Sequence, residues 1–215
     1  YADIFCTEDA MVRINFVNGT HAIASALYGV LRPGDVMVSA IGAPYDTLQG
    51  VIGITGDGNG SLKEFGIAYR QVDLTPENTP DLPGIVQAVQ EPNVKAVLIQ
   101  RSRGYATRAS LSVETIGTIC QAIRQVNPVW ILVDNCYGEF VETIEPTQVG
   151  GDLIMGSLIK NPGGGLAPMG GYVAGRRELV ESTAMRMTVP GIGRECGASL
   201  GNNRALYQGL FLAPH

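Results

Sequence analysis

No apolar run in this sequence approaches the roughly 20 residues that a bilayer crossing requires. The N-terminus also lacks the basic and apolar regions of a signal peptide. Both absences lead to the expectation of a soluble, cytoplasmic protein. Basic clusters are missing as well: 15 Lys and Arg stand against 20 Asp and Glu, a formal charge of −5. That balance disfavours nucleic acid or an anionic membrane as the main partner and leaves a small solute as the expected ligand. The four cysteines, Cys6, Cys120, Cys136 and Cys196, form no C-x-x-C, so neither a disulfide framework nor a zinc site is indicated and buried thiols are expected. Histidine is scarce, with only His21 and His215, which speaks against a metal site. There is no G-x-x-x-x-G-K-[ST], no G-x-G-x-x-G behind a strand, no internal repeat and no low-complexity linker.

What is present is an ordinary globular balance, 45% apolar and 16% charged residues over 215 positions, which suits one well-packed domain. Short apolar runs rich in β-branched residues recur as "VRINFV", "DVMVSA", "IAYRQVDL", "VKAVLIQ", "VWILVDN", "DLIMGS" and "GGYVAG". Between most of them apolar residues take helical spacing, as at Ile23, Ala26, Leu27 and Val30, or Ile116, Ile119, Cys120 and Ile123. Alternating strand and helix predicts an α/β fold, a mostly parallel seven-stranded sheet with helices on both faces. "RPGD" (32–35) and "VNP" (126–128) stop helices before the next strand, and "GDGNG" (56–60) reads as a flexible turn before a polar helix start. In such sheets ligands bind beyond the carboxyl ends of strands.

Three of those strand exits carry chemistry. After the first, "NGTHAI" places Gly19, Thr20 and His21 at a helix N-terminus whose free N–H groups suit an anion; an ordinary cap by Asn18 or Thr20 explains the same residues. Asp134 leaves the apolar strand "VWILV", where a buried carboxylate needs a positive partner unless it is a cap or turn former. Behind "DLIMGS", Ser157 precedes Lys160, which follows Leu158 and Ile159 and is followed by a glycine run. An amine against apolar walls would have a depressed pKa and act as a nucleophile toward carbonyls; a surface lysine in a glycine-rich loop is the alternative. A phosphate site, an Asp able to hold a pyridinium proton and a Schiff-base lysine, in that order, are the parts of a pyridoxal 5'-phosphate site. His21 reads as local packing and Cys136 as a structural thiol.

"VDNCYGEF" followed by "GSLIKNPGGG" resembles the fold-type I pyridoxal-phosphate enzymes, specifically the aluminium resistance or methionine γ-lyase-like group related to the cystathionine lyases, whose large domain has the aspartate aminotransferase-like fold. "NGTHAI", "GAPYDTL", "QRSRGYATR" and "GNNRALYQGLFLAPH" match as well. The resemblance spans essentially all of residues 1–215, which would be the large cofactor-binding domain of a longer polypeptide with a further N-terminal segment and a C-terminal small domain. It implies a carbon–sulfur lyase acting on a cystathionine-, methionine- or cysteine-like amino acid. Lys160 would form the internal aldimine and take the Cα proton, and Asp134 would hold the pyridine nitrogen. Gly19, Thr20 and Ser157 would bind the phosphate, and Tyr45 would stack on the ring and assist the leaving group, unless Tyr45 is a core aromatic beside Pro44. Relatives form homodimers or homotetramers with a shared active site. Two departures bear on the last step: Ile159 stands where relatives carry a hydroxyl residue, and "QRSRGY" replaces a Ser-Pro-x-Asn-Pro segment. Arg101 and Arg103 in that segment are candidates for substrate contact, an arginine paired with a local Glu being the alternative. Other outcomes on the same cofactor (γ-replacement, transamination, racemisation) and a non-catalytic binding role in metal stress stay open.

Overall fold

In a computed structural model describing residues 1–213, the seven apolar runs form one sheet in the order β1-β7-β6-β5-β4-β2-β3. Its strands are β1 (Asp9–Arg13), β2 (Val36–Ser39), β3 (Ala68–Gln71), β4 (Val94–Gln100), β5 (Trp130–Asp134), β6 (Leu153–Ser157) and β7 (Gly171–Gly175). From β3 through β6 the pairing is parallel, whereas β7 runs antiparallel to both β6 and β1. The helices are α1 (Gly19–Val30), α2 (Asp46–Ile52), α3 (Leu82–Val89), α4 (Val113–Arg124), α5 (Arg177–Met187) and α6 (Asn203–Leu212). None of them is long and apolar enough to cross a membrane.

Strand side chains alternate between two cores, as the pleat requires. Val97, Ile99, Ile131, Val133, Ile154 and Tyr172 face α3 and α4, where Ile85, Ile116, Ile119 and Ile123 complete one apolar cluster. Leu98, Leu132, Leu153, Met155 and Val173 face the other way and meet Ile23, Ala26 and Leu27 of α1 with Leu179 and Val180 of α5. Helices on both faces bury the central strands throughout, which is why their sequences are nearly continuously apolar.

Two local expectations are corrected. The first strand is Asp9–Arg13 rather than the run 12–17, because antiparallel pairing with β7 sets Met11 opposite Val173 and directs Met11 into the core. Ile14 and Phe16, buried in the following turn, supply the rest of that apolar signal. No helix follows "GDGNG": residues 61–66 make successive turns, with Gly56, Gly58, Gly60 and Gly66 all at positive φ. Such backbone favours turns over helix.

Candidate active site

Parallel strands β4, β5 and β6 end side by side, with Gln100 opposite Asp134 and Asp134 opposite Met155. Their carboxyl ends bring Asp134, Ser157 and Lys160 to one edge. Helix α1 starts beside them, and its approach is close. A Cβ on Gly19 would sit 2.8 Å from Cβ of Ser157, so only glycine lets the helix N-terminus lie against the end of β6.

Asn18 caps α1: its Oδ1 accepts from the His21 N–H at 2.8 Å, and the Ala22 N–H goes to the Asn18 carbonyl at 3.2 Å. Among the described residues the Gly19 and Thr20 amides find no acceptor, so these two N–H groups are open to an anion at the positive end of the helix. His21, by contrast, spends its amide on the cap. Its Nδ1 accepts from the Val17 N–H at 3.1 Å, and its ring stands edge-on to Phe16. This is the local packing anticipated from the sequence. His215 lies outside the described residues.

Tyr45 precedes α2 and is half-buried. Its hydroxyl is 2.8 Å from the Thr20 hydroxyl, and its N–H donates to Gln100 Oε1 at 2.9 Å. Burial, outweighing the Thr20 bond, raises the phenol pKa well above its ordinary value. Gln100 was not singled out by sequence reasoning. Its amide also donates to the Ser102 carbonyl at 3.0 Å and so ties the Tyr45 turn to the loop after β4.

Asp134 is 3% exposed, and one carboxylate oxygen accepts from the Cys136 N–H at 3.1 Å. No cationic nitrogen lies within 4.0 Å of it among the described residues. Burial raises its pKa, opposed by the Cys136 hydrogen bonds and the charge of Lys160. Lys160 itself corrects an expectation. Leu158 is buried but Ile159 is 57% exposed, so no pair of apolar walls encloses the amine. Nζ instead sits 4.1 Å from the centroid of the Tyr137 ring, a favourable place for a cation. Burial pulls the lysine pKa down, but Cys136, Tyr137 and Asp134 outweigh it and the net shift is upward. The amine is therefore held as an ammonium beside a buried carboxylate.

Arg101 is also corrected. It is 2% exposed, with Nη1 donating to Asn135 Oδ1 at 2.9 Å and to Glu145 at 3.3 Å, and Nη2 donating to Glu142 at 2.7 Å. Its fork is engaged by local carboxylates, leaving none of it facing a solute. Arg103 is exposed on the loop after β4, where its backbone N–H donates to Ser110 Oγ and its carbonyl accepts from the Ala106 N–H. The strands thus gather Gly19, Thr20, Tyr45, Asp134, Ser157 and Lys160 at one sheet edge, Arg103 lies on the outer loop, and Arg101 points inward. A third arginine, Arg108, passed unnoticed. It is buried and donates to the carbonyls of Gln100, Ser102 and Ala109 at 2.6–2.8 Å, closing the loop.

Known proteins share this fold. All of residues 1–215 match the family model described as methionine gamma-lyase. The uncharacterized protein YnbB of Bacillus subtilis (strain 168) is 51% identical over 217 residues, covering 100% of this chain and 51% of that protein. The structure of a carbon-sulfur lyase involved in aluminum resistance from Clostridium novyi NT is 54% identical, superposes with a TM-score of 0.96, and is covered over 51% of its chain by 100% of this one. At 22% identity and a TM-score of 0.70, the pyridoxal-5'-phosphate dependent protein YhfS from Escherichia coli shares the fold, over 99% of this chain and 51% of that one. The chain spans about half the length of the relatives it matches. A match across every residue, with a curated relative at half identity, leaves one conclusion: the chain belongs to the methionine gamma-lyase family.

Proposed function

We propose that this chain carries the cofactor site of a pyridoxal-phosphate-dependent carbon–sulfur lyase acting on a sulfur amino acid of the cystathionine, methionine or cysteine type. The observation that carries the reading is Asp134, a buried carboxylate at a strand end with no cation bonded to it. A charge so placed is costly unless a positive partner meets it, and a protonated pyridine nitrogen is such a partner. The rest of the edge suits the same group. The unpaired Gly19 and Thr20 amides and the Ser157 hydroxyl would hold its phosphate, Tyr45 its ring face, and Lys160 its carbonyl carbon through Nζ. Bound there, pyridoxal phosphate supplies an electron sink for charge developing at the substrate Cα.

The residues then divide the work. Asp134, kept from water by β4, β5 and β6, favours positive charge on the atom it contacts and so sustains that sink. Lys160 Nζ, as a free amine, would be the base that takes the Cα proton. Its cation site above Tyr137 stabilises the ammonium that results. The Tyr45 phenol, neutral and paired with Thr20, can hand its proton to a departing sulfur. Loss of the thiol, with water entering, leaves a 2-oxo acid and ammonia, so atoms balance without an oxidant. That the relative from Clostridium novyi NT is described as a carbon-sulfur lyase at 54% identity supports this outcome over others on the same cofactor.

Borohydride reduction of the full-length protein with pyridoxal phosphate, followed by peptide mass mapping, tests the cofactor. The label is expected on Lys160 and absent in Lys160→Ala. Product analysis with cystathionine, methionine and cysteine tests the reaction. A thiol with a 2-oxo acid is expected, and an unchanged carbon skeleton would overturn elimination.

A further inference from the structure

Immediately behind the site lies a buried acid to which the chemistry above gives no task. Glu139 is 1% exposed. Its Oε1 accepts from the Tyr172 hydroxyl at 2.8 Å, while Oε2 is buried with no hydrogen-bond partner. The groups facing it are Tyr172 from β7, Tyr1 from the first turn, Asp134 and Cys136 at the exit of β5, and Glu145. No cationic nitrogen lies within 4.0 Å among the described residues. Nothing there would support a second negative charge.

Glu139 also sits in the turn that shapes the site. Tyr137 and Phe140, on either side of it, are held at φ 66° and 63°, a left-handed backbone that non-glycine residues adopt only when the surroundings enforce it. The enforcing contacts centre on Glu139. Its carbonyl accepts from Asn161 Nδ2 at 3.0 Å, next to Lys160, and the Phe140 N–H is held by Glu145 at 3.0 Å. Gly156 of β6 leaves room for the carboxyl and its tyrosine, since a Cβ there would come within 2.5 Å of Oε1 and of the Tyr172 ring. This turn presents the Tyr137 ring to Lys160 Nζ.

We propose that Glu139 is a positioning residue which, as a neutral carboxylic acid packed against Asp134 and Glu145, locks the Asp134–Phe140 turn so that Tyr137 faces Lys160, and whose ionisation at alkaline pH loosens that lock by repulsion from those two carboxylates rather than by loss of the Tyr172 bond. Burial, reinforced by the charges of Asp134 and Glu145, pushes the Glu139 pKa up to about 8. The lock therefore holds near neutrality and fails about one pH unit above it. Inserting a carboxylate between Asp134 and Glu145 opposes the turn by like-charge repulsion.

The labelling half of the test rests on the cofactor reading; the infrared half does not. In the full-length protein, an infrared difference spectrum between wild type and Glu139→Gln is expected to show a carboxylic-acid carbonyl band at pH 7 that fades with a midpoint near pH 8. Borohydride-trapped pyridoxal phosphate on Lys160, measured by mass as the ratio of wild type to Glu139→Gln, is expected to fall by up to about tenfold between pH 7 and pH 9, following the un-ionised fraction. Tyr172→Phe, which removes a donor to the carboxylate, should move both midpoints to higher pH. The Tyr172 variant also serves where Glu139→Gln does not fold. A missing infrared band, or a labelling ratio flat with pH while the band titrates, overturns the proposal. If no variant takes up label, the cofactor reading fails and the infrared band alone decides: its absence, or a midpoint that Tyr172→Phe leaves in place, overturns the lock.

Discussion

Replacing Arg101 distinguishes a structural cation from a substrate ligand. In Arg101→Met the side-chain volume is roughly kept, but Glu145, 5% exposed, loses its cation while still bound to the Phe140 N–H at 3.0 Å and to Asn135 Nδ2 at 2.9 Å. Glu142, with about a third of its side chain exposed, can rehydrate. The cost therefore falls on one buried carboxylate. Removing one partner of a buried pair costs about 3–5 kcal/mol, and urea denaturation of the full-length protein should report a loss in that range. Adding Glu145→Gln to Arg101→Met removes the orphaned charge and keeps one of the two acceptor oxygens. It should restore part of the loss, a coupling of about 0.5–3 kcal/mol. A loss below about 1 kcal/mol in Arg101→Met, together with a raised KM for the amino-acid substrate, would refute this reasoning and return Arg101 to the substrate.

Gly156→Ala forces a methyl into Glu139 Oε1 and the Tyr172 ring. An overpacking cost of about 1–3 kcal/mol is expected in the same assay. Asn18→Ala deletes the cap of α1 and should cost about 0.5–2 kcal/mol; it should also weaken phosphate binding, read as a higher Kd for pyridoxal phosphate in a spectral titration, because the first turn is no longer held. Alkylation of the native protein near pH 7.5 is expected at Cys6 and Cys196, which are exposed, and not at Cys120 or Cys136, which are buried. Burial raises Cys120 to about 12 and Cys136 higher still, so neither offers a thiolate. Rapid labelling of Cys136, located by peptide mapping, would mean that the turn below Asp134 opens on its own.

The strand cores were legible because parallel strands covered on both faces must be apolar at every position, and Ile131, Leu132 and Val133 stay visible in any reading of the chain. Asp134 was legible for the opposite reason: one carboxylate at the end of such a run calls for a counter-charge unless it caps a helix or forms a turn. Lys160 was found by its setting, but its environment was misjudged because Ile159 points outward and the group beneath the amine, Tyr137, comes from another loop. Pairings between distant segments leave no local pattern, so Tyr45 with Gln100 and Glu139 with Tyr172 were invisible, while an arginine paired with a Glu was foreseen without its partner, Glu145 for Arg101. In "VDNCYGEF" the acid reads as a surface residue, since a glutamate beside a glycine in a turn is ordinarily solvated.

These pairs explain how one sheet edge can hold three buried acids. Arg101 compensates Glu145 directly at 3.3 Å, and Asn135 links them. Glu139 has only a neutral hydroxyl, and a proton is the remaining way to lower its charge. Asp134 has neither a bonded cation nor, by the cofactor reading, any need of a proton, because its partner arrives with the ligand. Cofactor binding should therefore stabilise the folded protein beyond its contact area, because it supplies Asp134 with a counter-charge. A melting shift on adding pyridoxal phosphate that shrinks in Asp134→Asn would measure that term, and an equal shift in both proteins would assign the whole stabilisation to the phosphate and Lys160.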